Sequence, residues 1–237
     1  RDGHRVAFNK AFQDANLDWN WTVELYGQLL EVTGGKERIL RYIQEYRPDF
    51  VAPSDLKGFI ADLHASKTKH YCQLLADGNI PLRVGVERLL KEARAEGLRL
   101  AIATTTTLPN VTVLLEHTLG PESLHWFDIV AAGDIVPAKK PAPDIYNYVL
   151  ETLGWAPEEC LAFEDSENGL LSSSQANLKT VVTINGYTKD HDFTGAPLVL
   201  DCFGEPDQSA QVLATNVAVP ADLLGYFSVE TARSLFA

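Results

Sequence analysis

Two short segments of the chain carry residue types that suit phosphoryl chemistry. Lys140 is followed by a proline-rich turn, and the adjacent acids Glu164 and Asp165 follow the apolar run 160–163. A lysine can neutralise a phosphate as a point charge, and Mg²⁺ prefers a few carboxylates together with water and phosphate oxygens. The combination predicts a phosphoryl-transfer site.

Each segment also has a purely structural interpretation. An acidic pair at a helix N-terminus is stabilised by the helix dipole, and for Glu164 and Asp165 alone the two interpretations carry about equal weight. Lys140 alone would be a solvated loop lysine, and the stretch ending at Asp144 is an ordinary helix start. Only the two segments together favour the phosphoryl-transfer interpretation.

A run of threonines follows a third apolar segment, 98–103. Hydroxyls and backbone N–H groups between a strand and a helix can hold phosphate oxygens. The alternative is strand propensity with a helix N-cap at Thr107. We assign the phosphate role to Thr104 because it directly follows the strand.

The N-terminal region contains a loop that could bind a second anion. Gly34 and Gly35 precede Lys36 and Arg38, although the local sequence by itself favours a surface turn. Three histidines have no metal-ligand spacing and are expected to pack or to lie on the surface: His4, His64 and His70.

The order of the predicted elements brings the chemical residues to one sheet edge. Residues 1–80 have helical periodicity, with Ser54 as the cap of the longest helix. From residue 81, helices alternate with strands at 98–103, 127–132, 160–163, 180–184 and 198–200. This alternation predicts a parallel sheet between two layers of helices, with functional residues at the carboxyl ends of its strands.

These patterns predict three regions. Residues 1–80 form an all-helical cap domain, residues 81–203 an α/β core, and residues 204–237 an extension that packs on the core. Within the extension we expect short helices at 221–227 and 229–236.

Composition narrows the classes of partner. The 237 residues carry a net charge of −12, which argues against binding to nucleic acid or to an anionic membrane. No apolar run approaches the length of a membrane span. Three distant cysteines give no disulfide framework and no zinc spacing, which favours a reducing compartment.

The ordered segments 103–106, 140–144 and 163–166 resemble the haloacid-dehalogenase-like (HAD) phosphatases. The resemblance spans most of residues 1–203. Three sets of segments look like the CbbY type of sugar-phosphate phosphatase, which is similar to β-phosphoglucomutase: 33–38, 103–106 with 108–111, and 132–134 with 139–141. The resemblance implies an α/β fold, with a Rossmann-like three-layer core and a helical cap. It also implies Mg²⁺-dependent hydrolysis of a sugar phosphate through an aspartyl-phosphate.

The resemblance also implies residue roles. Thr104 would hold the transferring phosphoryl group, and Lys140 would neutralise the nucleophile and the phosphate. Glu164 and Asp165 would bind Mg²⁺. Contacts to the substrate would come from Lys36, Lys67, His4, Thr105 and Thr106, with His4 in the hinge between cap and core.

The chain departs from the family at its catalytic acids. The nucleophile and the general acid/base of the family lie in an Asp-x-Asp-Gly-Thr segment that ends an apolar strand, and this segment does not occur here. The chain contains no methionine. We therefore expect a fragment of a longer product, inactive as written, whose nucleophile lies upstream together with any targeting peptide.

Two alternatives remain open. One is a phosphosugar mutase of the β-phosphoglucomutase type, and the other is a catalytically silent sugar-phosphate-binding protein. The resemblance implies a sugar bisphosphate such as xylulose-1,5-bisphosphate as substrate. We expect a monomer in the cytoplasm, or in a plastid if a transit peptide has been lost.

Overall fold

The computed structural model of the protein describes residues 2–78, 80–217 and 225–236. It forms two compact units. The helical unit comprises Arg1–Pro81 with Thr105–Pro121, and the α/β unit comprises Leu82–Thr104 with Glu122–Ala237. The helical unit thus includes one helix from the part of the chain in which helices and strands alternate.

Among the described residues of the helical unit, five helices surround an aromatic core. They are α1 (Asp2–Asp14), α2 (Val23–Leu29), α3 (Gly35–Tyr46), α4 (Leu56–Ala76) and, after the first helix and strand of the other unit, α6 (Leu108–Leu119). Phe8, Phe12 and Trp21 are fully buried and their rings touch. The predicted cap of α4 was wrong by one residue, because the carboxylate of Asp55, not Ser54, accepts the Gly58 N–H at 2.8 Å.

The α/β unit alternates helices and strands as predicted. Its elements are α5 (Val86–Ala95), β1 (Ala101–Thr104), β2 (Ile129–Ala132), α7 (Asp144–Leu153), β3 (Leu161–Glu164), α8 (Glu167–Gln175), β4 (Lys179–Thr183), β5 (Leu198–Leu200), β6 (Val212–Thr215) and α9 (Val229–Ser234). All five predicted strands are present. The parallel pairs are β1 with β2, β3 with β4, and β4 with β5.

The C-terminal region adds a strand that the sequence did not predict. β6 pairs antiparallel with β5, and all four of its residues are exposed. Helix α9 confirms the helix predicted at 229–236, and Val229 and Leu235 pack with Leu89 of α5. The helix predicted at 221–227 falls mainly on residues 218–224, outside the described part of the chain.

The parallel strands form two sheets with a cavity beside both. Within residues 2–78, 80–217 and 225–236, β1 pairs only with β2, and β3 pairs only with β4. An apolar cavity of about 620 Å³ is lined by both strands and by α5 and α7. Phe163, on β3, is 42% exposed although it lies within the α/β unit. The unpaired edges of β1 and β3 therefore border the same space.

The described residues also test two expectations from composition. The helices among them are too short or too polar to span a membrane. All three cysteines are free thiols.

Candidate active site

Lys140 joins the carboxyl ends of β1 and β3. Its ammonium pairs with the carboxylate of Glu164, the last residue of β3, and the two side chains are only 11% and 8% exposed. Lys140 Nζ also donates to the carbonyl of Ala103 on β1 at 3.0 Å. Since Thr104 follows Ala103, the structure brings three of the predicted site residues to one edge of the α/β unit.

Tyr146, in the first turn of α7, completes this polar cluster. Its hydroxyl donates to the Glu164 carboxylate, and Lys140 Nζ lies 4.6 Å from the centre of its ring. Burial, with the nearby charge of Glu164, raises the pKa of Tyr146 well above its ordinary value. The phenol therefore stays protonated and keeps donating to Glu164 at physiological pH. Sequence reasoning missed this residue.

The first turn of α8 makes room for the Glu164 carboxylate. Ser166 caps the helix by accepting the Gly169 N–H at 3.3 Å. A Cβ at position 169 would overlap the carboxylate of Glu164. The Ser-x-x-Gly pattern therefore caps the helix and leaves space for an acidic side chain beside it.

Asp165, the second predicted metal ligand, is held from the neighbouring strand. Asn185, two residues after β4, donates through Nδ2 to Asp165 Oδ2 at 3.0 Å. The register that pairs Glu164 with Val182 brings these two strand ends together. Sequence reasoning missed Asn185 as well.

The two carboxylates fit a Mg²⁺ ion. Mg²⁺ binds one or two protein carboxylates and takes its remaining ligands from water and phosphate. In the described part of the chain, no cluster of three or more His, Cys, Asp or Glu side chains could hold a metal alone. The Glu164 carboxylate, packed against Gly169, and the Asp165 carboxylate, held by Asn185, offer hard oxygens that suit a site completed by a phosphate.

Lys67 is a buried cation in the helical unit. Its side chain is 4% exposed, and its ammonium lies 5.3 Å and 5.0 Å from the ring centres of Phe8 and Tyr71. Burial, with the charge of Arg38, lowers the pKa of Lys67 to about 7. The two aromatic faces stabilise the protonated form of Lys67, while burial favours its neutral form.

His4 and the glycine before Lys36 lie against the two aromatic rings next to Lys67. The ring of His4 stacks on Tyr71 with centroids 3.8 Å apart. A Cβ at Gly35 would overlap His64 and touch Phe8, so the loop before Lys36 requires glycine for its close approach. His64 thus packs against the loop, as expected for a histidine without metal-ligand spacing.

Arg38 stabilises the loop that precedes it. Its guanidinium is buried and donates to the carbonyls of Leu29 and Val32, both at 3.0 Å. These bonds hold the end of α2 against the start of α3. Arg38 is therefore neither the exposed residue of a surface turn nor positioned in this structure as an anion-binding group.

The threonines after β1 differ in their contacts. Thr106 Oγ1 accepts from Asn110 Nδ2 at 2.9 Å, within the first turn of α6. Thr107 stands at the N-cap position, but its side chain makes no capping bond. The carbonyl of Thr104 accepts from Gly133 N at 3.2 Å, which ties the end of β1 to the loop after β2. Thr105 is half-buried at the start of the helical unit's second segment.

Comparison with known proteins defines the class. The sequence profile of the haloacid dehalogenase-like hydrolases matches residues 2–177. The chain therefore belongs to the haloacid dehalogenase-like hydrolase family. The Rossmann-like α/β fold predicted from the resemblance is confirmed.

Within the family the chain is similar to CbbY proteins. Protein CbbY of Cereibacter sphaeroides is 45% identical over 202 residues, which cover 85% of this chain and 86% of that protein. The CBBY-like protein of Arabidopsis thaliana is 41% identical over 217 residues, 90% of this chain and 68% of that protein. These relatives support an enzyme that hydrolyses phosphoric monoesters.

A solved structure shows the same similarity. CbbY from Rhodobacter sphaeroides in complex with phosphate has a TM-score of 0.79 and 44% identity, over 85% of this chain and 87% of that chain. A mutant of that protein was solved in complex with xylulose-(1,5)-bisphosphate, with the same TM-score and coverage.

Proposed function

We propose that this chain forms the phosphate-binding and metal-binding parts of a Mg²⁺-dependent sugar-phosphate phosphatase. The observation that carries the proposal is the buried ion pair of Lys140 and Glu164, beside Asp165, at the ends of β1 and β3. A cation and two carboxylates gathered at strand ends suit a phosphoryl group and its metal. The CbbY complex with xylulose-1,5-bisphosphate supports a sugar bisphosphate as the substrate.

The residues present divide the work of phosphoryl transfer. Thr104 would hold phosphoryl oxygens, and Lys140 would neutralise the charge of the nucleophile and of the phosphate. Glu164 and Asp165 would hold Mg²⁺, which when bound neutralises charge that develops on the phosphoryl oxygens. Tyr146 keeps Glu164 in place by its hydrogen bond. Lys36, Lys67, His4, Thr105 and Thr106 would bind the rest of the sugar phosphate.

The carboxylates of the lysine loop do not suit the role of nucleophile. Asp134 pairs with Lys139 at 3.0 Å, and Asp144 accepts the Ala138 N–H at 3.3 Å. Glu164 and Asp165 are assigned to the metal. We propose that the nucleophile is an aspartate carried into the site by a further apolar strand, upstream of these 237 residues.

The cavity beside β1 and β3 lies where such a strand could pair. It measures about 620 Å³ and borders β1 and β3, each of which has one edge unpaired within the described residues. An inserted strand parallel to β1 and β3 would end beside Lys140. Its aspartate could attack phosphorus while the bond from phosphorus to the sugar oxygen breaks, and the second aspartate of that segment would protonate the departing sugar oxygen. Water, deprotonated by the same second aspartate, would then hydrolyse the aspartyl-phosphate to free phosphate.

Two versions of the chain test the function. We expect the 237 residues alone to release no phosphate from xylulose-1,5-bisphosphate with Mg²⁺. An apolar strand ending in Asp-Val-Asp-Gly-Thr, fused before Arg1, should give Mg²⁺-dependent release, and the same fusion with its first Asp replaced by Asn should not. Phosphate release by the unfused chain would contradict the proposed source of the nucleophile.

A silent binding protein is the second candidate, because the candidate carboxylates in the described part of the chain do not suit the role of nucleophile. It predicts that the fused chain binds the sugar phosphate without turnover. A mutase would instead convert one sugar phosphate into another, so analysis of the products separates all three outcomes. The monomeric state and the cytoplasmic or plastid location stay predictions from the sequence.

A further inference from the structure

Asn185 lies where the end of β4 meets the end of β3. Its side-chain amide donates to Asp165 Oδ2 at 3.0 Å. Asp165 follows β3 and Asn185 lies two residues after β4. These two strands are paired in one sheet, with Glu164 opposite Val182. The contact therefore rests on the sheet register and joins one candidate metal ligand to a different element of the α/β unit.

The turn after β4 fixes the direction of the Asn185 amide. The side-chain oxygen Oδ1 accepts the Tyr187 N–H at 2.9 Å. Thr188 binds both backbone polar groups of Asn185. The Thr188 hydroxyl accepts the Asn185 N–H at 3.0 Å, and the Thr188 N–H donates to the Asn185 carbonyl at 3.0 Å. Thr188 is fully buried. Because Oδ1 is used by the turn, the NH₂ group on the other side of the amide is directed at Asp165.

We propose that Asn185 is a positioning residue for the metal site. This inference rests on the proposed Mg²⁺ site at Glu164 and Asp165. A carboxylate whose one oxygen is already hydrogen-bonded needs less ordering when a metal binds. A preset donor on a neighbouring strand also holds Asp165 in place while Lys140 and Tyr146 hold Glu164. The two ligands are thus each fixed by their own partners.

The test measures metal affinity without turnover. Mn²⁺, which prefers similar oxygen ligands, is titrated into the full chain in the presence of inorganic phosphate, and free Mn²⁺ is counted by electron paramagnetic resonance. Asn185→Ala and Asn185→Ser should each weaken Mn²⁺ binding about tenfold, the usual order for loss of a partner behind a metal ligand. The serine variant keeps a side-chain acceptor for the turn but is too short to bridge to Asp165.

Thr188→Ala is the matched control. It removes a hydrogen bond of the same turn and leaves the Asn185 amide in the chain, so it should lower the melting temperature while changing Mn²⁺ affinity less than twofold. Equal losses of affinity in the Asn185 and Thr188 variants would mean that only the turn matters and would overturn the inference.

A third variant separates this inference from the proposed function. Asp165→Asn should weaken Mn²⁺ binding at least as much as either Asn185 variant. If it does so while both Asn185 variants bind Mn²⁺ normally, only the positioning role is overturned. If the unaltered chain binds no Mn²⁺, or if Asp165→Asn leaves binding unchanged, the metal site itself is wrong and the positioning role is overturned with it.

Discussion

At the scale of single residues, a substitution of Asp165 should weaken metal binding without changing the fold. In the strand-fused chain, Asp165→Asn should lower activity at least tenfold and raise the Mg²⁺ concentration needed for half-maximal rate, because one charged ligand is lost. The circular dichroism spectrum should not change. Asp190→Asn, an exposed acid in the nearby loop, is the control. Unchanged kinetics in the Asp165 variant would remove it from the metal site.

Lys36 tests whether the helical unit recognises the substrate. In the fused chain, Lys36→Ala should raise KM for xylulose-1,5-bisphosphate far more than for p-nitrophenyl phosphate, which lacks a distal group. An equal rise for both esters would make Lys36 a structural residue, as its local sequence by itself suggests.

Lys67 should give the protein a characteristic dependence on pH. Its pKa is about 7 when folded and 10.5 ordinarily, so between these values the unfolded chain binds the extra proton. Its contribution to stability therefore rises as pH increases from about 7 to about 10, and below pH 7 its destabilising effect is fully present. Lys67→Met should raise the melting temperature at pH 7 and flatten its rise towards pH 9.

The exposed Lys69, on the same helix, provides the comparison for Lys67. Lys69→Met should leave both the melting temperature at pH 7 and its slope with pH nearly unchanged. Identical pH profiles for the unaltered chain and Lys67→Met would show that burial does not shift this lysine.

Sequence patterns predicted the candidate residues Lys140, Glu164 and Asp165, but not their partners. Glu164 and Asp165 were predicted because they stand at the end of an apolar strand, and Lys140 because the prolines that follow it fix the direction of its loop. Tyr146 and Asn185 could not be predicted, because their roles depend on which strands become neighbours and on where the first turn of α7 points. Arg38 was misjudged for a similar reason, since burial of a guanidinium on backbone carbonyls leaves no local pattern.

At the scale of elements, α8 should be sensitive to one methyl group. Gly169→Ala should destabilise the protein by roughly 1–3 kcal/mol, the usual effect of overpacking, although alanine has the higher helix propensity. The new Cβ would displace the Glu164 carboxylate and so also weaken Mn²⁺ binding. Urea unfolding and Mn²⁺ titration measure the two effects.

Ser174→Ala, on the exposed side of α8, controls for helix propensity. It should be neutral or slightly stabilising, because it adds no atom against another side chain. If Gly169→Ala changed urea stability and Mn²⁺ affinity no more than Ser174→Ala does, the first turn of α8 would have space for a methyl group.

Helices and strands were predicted correctly where their own residue pattern determines their secondary structure. The five apolar strands and the helices between them follow from periodicity. β6 was missed because Val212–Thr215 is exposed throughout and so shows no alternation of buried and exposed residues. It is a strand because it pairs with β5. The grouping of α6 with the first four helices could not be predicted, because its sequence position suggests only the strand–helix alternation around it.

At the scale of the whole molecule, the α/β unit should have a low free energy of unfolding. Two strand edges border an apolar cavity, so the 237-residue chain should unfold at low urea concentration and bind a hydrophobic dye. Fusing the apolar strand before Arg1 should raise both the midpoint and the m-value of unfolding, because more surface is buried. The version with Asn for the first Asp should gain as much. Equal midpoints with and without the strand would show that the cavity does not take it.

The burial of the Lys140–Glu164 pair also sets how the protein responds to ionic strength. Exposed pairs such as Lys91 with Glu87 are screened by salt, whereas a pair whose side chains are about nine-tenths buried is screened much less. Salt would at the same time reduce the mutual repulsion that accompanies a net charge of −12. Concentrated salt should therefore weaken the exposed ion pairs and spare the buried Lys140–Glu164 pair, so that the contact between the ends of β1 and β3 persists at ionic strengths that break the exposed pairs.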